Sequence, residues 1–309
     1  MAYSSKAVEK QAMTALRKLR SFLDASEPRL VYFLVNLWQA QGNAITYKEL
    51  REAILAGELA AEYLEEWRED YARFVQRYLM PAWEKAIKAA ENSLKAEHRD
   101  WHYNPSADGV SEWMHTRAAE FVTSVSETQI EGLRAVIYKA SQLHDMSVDE
   151  LARAIRPMVG LYAAQSMANL RYYENLIANG VKPKRARDLS IRYGARQHRY
   201  RAYMIARTEM AFGYNKGMYE GVKQAQRDGY VGEVKKIWCT AEDERVCSSC
   251  GALEGKEIAL DDEFGYYTKL QYKNPRIKRT PPAHPNCRCT TLYITSAPDF
   301  SQQGNRIVT

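Results

Sequence analysis

Cys247-Ser248-Ser249-Cys250 and, after a long basic loop, His284-Pro285-Asn286-Cys287-Arg288-Cys289 set the architecture of the last quarter of this chain. Together they offer five soft or borderline donors to a single metal ion. Zinc takes about four nitrogen or thiolate ligands in a tetrahedron, and a Cys-x-x-Cys knuckle supplies two from one tight turn. A second knuckle is then needed to close the shell. Turn-forming residues surround both: Ser248, Ser249 and Gly251 at the first, Pro281, Pro282, Pro285 and Asn286 at the second. Such residues let the backbone turn its N–H groups toward thiolates.

The competing readings are weaker. Free buried cysteines behave as small apolar residues and need no partner, but scattered core cysteines would not cluster between Cys239 and Cys289. Disulfides need an oxidising compartment, and residues 1–18 are charged and lack the apolar core of a secretory signal. A structural zinc is therefore the expectation. Cys247 and Cys250 are the firmest ligands, while His284, Cys287 and Cys289 compete for the remaining two places. Cys239 lies in the strand-like Ile237-Trp238-Cys239-Thr240 and is expected in the core.

With 309 residues, 46% apolar and 27% charged, the chain has the composition of a globular protein with a real core. Its most apolar run, 30–40, is interrupted by Asn36 and Gln39 and falls short of the ~20 residues a membrane span requires. No membrane partner is expected. The net charge of +6 is unevenly spread, since 182–207 holds nine Lys or Arg against the single acid Asp188. Acids outnumber bases over 52–69.

Apolar residues return every three or four positions over 4–157, the mark of successive helices. Capping-box patterns at Thr46 to Glu49, Ser126 to Gln129 and Ser147 to Glu150 mark three expected starts. The stretch 58–98 reads as one long helix with Tyr63, Trp67, Tyr71, Phe74, Tyr78 and Leu79 on one stripe and a kink at Pro81. A break at 102–109 follows, Asn179-Gly180 closes another helix, and Pro183 opens the next. Beyond Gly229, short strands are expected at 231–240, 256–260 and 290–295. The expected fold class is α+β, a predominantly α-helical body with a small C-terminal zinc-stabilised β-rich module. Three regions follow: an N-terminal helical region 1–104 with a long helix, a helical domain 105–229 with a basic face, and the Cys/His module 230–309. The last region is too small to be comfortable without a staple.

The basic face comprises Lys182, Lys184, Arg185, Arg187, Arg192, Arg196, Arg199 and Arg201, interleaved with Tyr193, His198, Tyr200 and Tyr203. This mixture suits phosphates with some base stacking, so any nucleic-acid contact would be backbone-directed and salt-sensitive. A solvated face, or one paired with the acidic 52–69 stretch of the same or a neighbouring chain, explains it equally well. Lys273, Arg276, Lys278 and Arg279 form a second basic cluster between the knuckles. No nucleophile elbow, phosphate-cradling loop or dinucleotide fingerprint is present, and thiolate-rich donors would close a zinc shell rather than leave it open for water. No catalytic residue is expected. Asp243, Glu244, Asp261, Asp262 and Glu263 offer donors for a hard cation, though such runs are usually solvated turns.

Ala206-Arg207-Thr208-Glu209, Asn215-Lys216-Gly217, Trp238, Asp243-Glu244-Arg245-Val246-Cys247, Leu253-Glu254-Gly255 and the two knuckles follow one another in a familiar order. In these motifs the chain resembles the Mu F-like phage head morphogenesis family, minor capsid proteins of tailed bacteriophages. The resemblance covers about 202–294, with softer similarity at Trp113, Arg117, 120–123, Arg156-Pro157 and Gly160-Leu161. It implies a non-enzymatic virion protein of the phage head. Assembled in the host cytoplasm, it would associate with portal, scaffold or other head proteins, contact DNA nonspecifically and act on no small-molecule substrate. It also implies Cys247, Cys250, His284, Cys287 and Cys289 as the Cys/His pattern, and Arg207, Thr208, Glu209, Asn215, Trp238 and Asp243 as structural motif residues. Arg207 and Glu209, two apart on a helix, would tie the helical body to the zinc module through different neighbours. Competing expectations are a metal-dependent nuclease or other enzyme acting on nucleic acid, and a binding module delivered into the host with the genome.

Overall fold

The computed structural model describes residues 3–95, 102–104, 108–143, 146–267, 276–277 and 280–297. Helices dominate: α1 (Lys6–Ala44), α2 (Tyr47–Ala56), α3 (Glu62–Phe74), α4 (Met80–Lys95), α5 (Asp108–Ser141), α6 (Val148–Ile155), α7 (Ala163–Ala178), α8 (Pro183–Arg227) and the single turn α9 (Ser248–Gly251). Among the described residues five short strands follow α8: β1 (Val234–Cys239), β2 (Glu257–Ala259), β3 (Tyr266–Tyr267), β4 (Arg276–Ile277) and β5 (Thr290–Thr295).

Local chemistry explains most boundaries. Thr46 and Glu49 form the full capping box of α2, and Ser147 accepts from Glu150 N–H at the start of α6. Pro183 opens α8, and Gly180 takes the left-handed φ of 75° just beyond α7. The Ser126 box is not realised, because Ser126 lies inside α5. Its hydroxyl donates to the carbonyls of Val122 and Thr123 at 2.6 and 3.1 Å, while Phe121, Ile130 and Leu133 continue one buried stripe through it. At Pro81 the irregularity takes the form of a π turn, Val75–Leu79, between α3 and α4. Proline has no N–H for the carbonyl four residues back, and a wider turn just before it accommodates that loss.

The chain divides into two compact units, neither a consecutive stretch. One contains Pro28–Met80 and His115–Met204, the other Met1–Glu27, Pro81–Met114 and Ile205–Thr309. The regions read from composition follow sequence order, whereas these units follow contact.

The first unit is helical and centred on a buried polar relay. Trp38 Nε1–H donates to Tyr71 Oη at 2.6 Å, the Tyr71 hydroxyl donates to Gln129, and Gln129 Nε2–H donates to Gln41 Oε1 at 2.9 Å. Arg201, counted above with the basic face, belongs here instead. It is buried, donates to Gly160 O at 2.6 Å and Thr128 Oγ1 at 2.8 Å, and sits 5.3 Å from the Trp38 ring centroid. Its guanidinium therefore braces the core and does not reach a partner. Gly160, at φ 97°, lies so close that a Cβ there would meet Trp38 at 2.3 Å.

The second unit holds the sheet, in the order β2-β1-β5 and antiparallel throughout, with Lys236 opposite Ile258 and Ile237 opposite Leu292. One face of the sheet buries Ile237 and Cys239 with Leu292 and Ile294 against Tyr3, Val8, Ala12 and Leu16 at the start of α1. Cys239 is thus core, and burial pushes its thiol up to about 12. On the other face Trp238 packs with Phe264, Ala283, Cys250, Cys287 and Cys289. The buried Lys236 ammonium lies 5.4 Å from the ring centroids of both Tyr219 and Phe264. Within this unit α8 and α4 meet through Gly217, where a Cβ would stand 2.7 Å from Ile87 Cα.

A candidate metal centre built on two knuckles

The first knuckle is made by α9. Cys247 is its N-cap, and its sulfur accepts from Cys250 N–H at 3.4 Å. The second knuckle turns at Asn286, which takes the left-handed φ of 61°. Asn286 N–H donates to Thr208 Oγ1 on α8 at 2.8 Å.

These turns converge the five predicted donors into two overlapping groups, Cys247 with Cys250 and His284, and Cys250 with Cys287 and Cys289. Within each group the ligand atoms lie within 4.8 Å of one another. Cys250 Sγ is 3.3 Å from His284 Nε2 and 3.9 Å from Cys287 Sγ, and Cys247 Sγ is 3.4 Å from His284 Nε2. A tetrahedron with metal–sulfur bonds of about 2.3 Å and metal–nitrogen bonds of about 2.0 Å has S···S edges of about 3.8 Å and S···N edges of about 3.5 Å. The donors present fit a four-coordinate metal in both chemistry and spacing. His284 Nδ1 lies 2.8 Å from Pro285 O, which makes it an N–H donor and leaves Nε2 as the nitrogen that faces the sulfurs. Hydrogen bonding to Cys250 and then Cys289 pulls the Cys287 thiol well below its ordinary range. The Cys287 sulfur in turn holds the His284 imidazole up at about 9.

A ring of polar ties fixes the knuckles to their surroundings. Arg288, between two ligands, makes a fork to Asp243 with both N···O distances 2.5 Å. This pair joins the segment leading into the first knuckle to the second knuckle. It also holds the Asp243 carboxyl far below the usual carboxylate range, and it takes Asp243 out of any hard-cation site. Asp261 is likewise engaged, accepting from Tyr219 Oη at 2.7 Å and Lys223 Nζ at 2.8 Å. Asn215 is buried on α8, donates to Cys289 O at 3.5 Å and accepts from Thr290 Oγ1 at 2.9 Å.

The Arg-Thr-Glu segment divides its labour. Arg207 makes a buried bidentate pair with Glu27 of α1 at 2.7 and 3.1 Å. Thr208 is the residue that meets the knuckle, and Glu209 O accepts from Trp83 Nε1–H at 3.1 Å. The expected tie to the metal module therefore runs through Thr208 and Asn215, with Arg207 bound to α1. Glu27 and Arg288 escaped sequence reading. Arg288 had a signal, a lone cation between two ligands downstream of the acidic 242–244 run, whereas nothing near Glu27 pointed to position 207.

Lys182 just before α8, and Lys184, Arg185, Arg192, Arg196 and Arg199 on it, are exposed, and among the described residues none of them has an ion-pair partner. Arg187 is half-buried, Tyr200 is 55% exposed, and His198 is buried against Val159 O at 2.8 Å. In the second cluster, Lys273, Lys278 and Arg279 lie outside the described residues, as does the side chain of Arg276. No described helix is long and apolar enough to cross a membrane.

No curated protein and no solved structure matches this chain. Residues 146–292 match the family model described as Phage Mu protein F like protein. That stretch takes in both knuckles, the Arg-Thr-Glu helix and the softer motifs at Arg156-Pro157 and Gly160-Leu161, while Trp113 to Thr123 fall before it. Residues 146–292, in which the knuckles fold against α8 and the sheet, are thus similar to the Phage Mu protein F like family.

Proposed function

We propose that this is a structural assembly protein of a tailed-phage head, a minor capsid component that associates with the portal and carries one structural zinc. The family match of residues 146–292 carries the head-morphogenesis reading. The donor cluster supports zinc as a folding staple: thiolates and one imidazole at tetrahedral edge distances make a closed shell, the chemistry of structural sites. Cys250 with three of Cys247, His284, Cys287 and Cys289 would hold the ion. Stability is what such an ion supplies, and Arg288–Asp243, Thr208 and Asn215 orient its ligands.

The exposed Lys184, Arg185, Arg192, Arg196 and Arg199, with Tyr200 beside them, form the surface that meets DNA without reading its sequence. Arg187 flanks it and Arg201 does not take part. Purified protein is titrated onto two unrelated duplexes across a salt series, with metal content measured on the same preparation. Sequence-blind binding that weakens steeply with salt, together with about one zinc per chain, is the expected result. Binding unchanged by Arg192→Ala, Arg196→Ala and Arg199→Ala together would assign that face to protein contacts, and nicking of plasmid in magnesium, manganese or zinc would replace the structural reading with a nuclease.

A further inference from the structure

The sheet ends at β5, and that edge is open among the described residues. In the antiparallel ladder, the β1 residues facing β2 are Val234, Lys236 and Trp238, as the bonds Trp238 N–H to Lys256 O and Leu260 N–H to Val234 O show. Lys235, Ile237 and Cys239 therefore exchange hydrogen bonds with Ile294, Leu292 and Thr290. Their neighbours Thr291, Tyr293 and Thr295 turn N–H and C=O away from β1, and among the described residues no backbone group accepts or donates there.

This edge forms the floor of a groove of about 520 Å³ that runs the full length of β5. Ala7, Thr14 and Ala15 of α1 make one wall, and Tyr214 and Met218 of α8 make the other. Lys10 and Lys18 are exposed on its rim. Through Thr14, Lys18 and Tyr214 the groove adjoins a second cavity of about 670 Å³ that adds Arg17. A strand edge set between two helix walls is a template for one more strand. Helix walls on both sides of the strand edge admit a slim extended backbone, which a duplex is not, and cations along the rim favour acid on the side chains that point outward.

We propose that β5 receives an extended acidic segment of a partner protein, which adds to the sheet as a fourth strand in this groove. Backbone pairing to Thr291, Tyr293 and Thr295 holds the segment, and Lys10 and Lys18 select its charge. The groove shares no residue with the basic face of α8, so loss of DNA binding leaves the proposal standing.

The probe is a fluorescein-labelled ten-residue peptide alternating valine with glutamate, titrated onto the full-length metal-loaded protein with amide exchange followed in parallel. Saturable binding is expected, with slower exchange at Tyr293 and Thr295. Methylating alternate backbone nitrogens of the peptide should weaken binding at least tenfold, as should replacing its glutamates by lysines. The exposed-site variant Lys10→Glu/Lys18→Glu, folded by circular dichroism, should weaken it similarly. Equal affinity for the methylated peptide would reduce the contact to charge alone and overturn strand addition. Absence of saturable binding would overturn the proposal, and so would a sedimenting dimer whose Tyr293 and Thr295 amides are already protected, since a second copy would then hold the edge.

Discussion

Removing either partner of the Arg207–Glu27 pair should be among the most damaging single changes in this unit, while removing both should cost less than removing one. The side chains are only 10% and 3% exposed, and two N–H groups face two oxygens at 2.7 and 3.1 Å. At about 3 Å and an effective dielectric of about 20 their attraction is on the order of 5 kcal/mol, set against a desolvation cost of several kcal/mol per ion. Glu27→Leu leaves the Arg207 guanidinium buried with its chief counter-charge gone. Asp24 lies 3.8 Å away but is 60% exposed, so it compensates little. The expected loss is about 3–5 kcal/mol for Glu27→Leu or Arg207→Met alone, and under about 2 kcal/mol for the double change, which swaps an ion pair for apolar contact. Guanidinium denaturation followed by tryptophan fluorescence, with metal saturating, closes the cycle. Single losses under about 1 kcal/mol, or a double loss equal to their sum, would refute the claim that pairing in a dry site governs this contact.

Chelation, or Cys247→Ser, should release the first knuckle, which rides on a single helical turn, and leave the second held to α8; new protease cleavage confined to about 241–255 reads this out. Gly217→Val should destabilise by more than about 2 kcal/mol, because its side chain would run into the α4 backbone at Ile87, and thermal unfolding measures it. Burial pushes His198 down from 6.5 to about 4, so the folded state refuses a proton that the unfolded state accepts. Stability present above pH 6.5 should therefore fall as pH drops toward 4, by up to about 3 kcal/mol across that window, and His198→Gln should flatten the slope in urea melts. Asp243→Asn should loosen the metal, since it removes the charge from the Arg288 fork, and competition with a zinc-binding dye should show at least tenfold weaker retention.

How much of this was legible from the sequence depended on whether the cause was local. Knuckles, caps and strand starts are short-range devices, so Cys247 to Cys250, Thr46, Ser147 and 290–295 could be read from neighbouring residues. Ser126 misled because its hydroxyl has two uses in a helix, capping a start or bonding the turn before it, and only the buried stripe through Phe121 and Ile130 chooses. Arg201 misled for a related reason: cations at helical spacing look alike until the residues across from them are known, and here those are Trp38, Tyr162 and Gly160. Pairs distant in sequence, such as Arg207 with Glu27 or Arg288 with Asp243, obey no spacing rule, and the interleaving of segments in the two units follows from contacts of that kind.

The two knuckles are not equally dependent on an ion. His284 to Cys289 is held to α8 by Thr208 under Asn286 and by Asn215 under Cys289 and Thr290, contacts made by helix and strand without any metal. Its donors are thus gathered in advance, and little of their ordering remains to be done when the ion arrives. Cys247 and Cys250 ride on a single helical turn, too short to persist by itself. Capture of a metal here would then have a direction: the ion would land on the half that waits and draw the other half over it, so metal supply would set the time at which this protein finishes folding, after its helices are already in place.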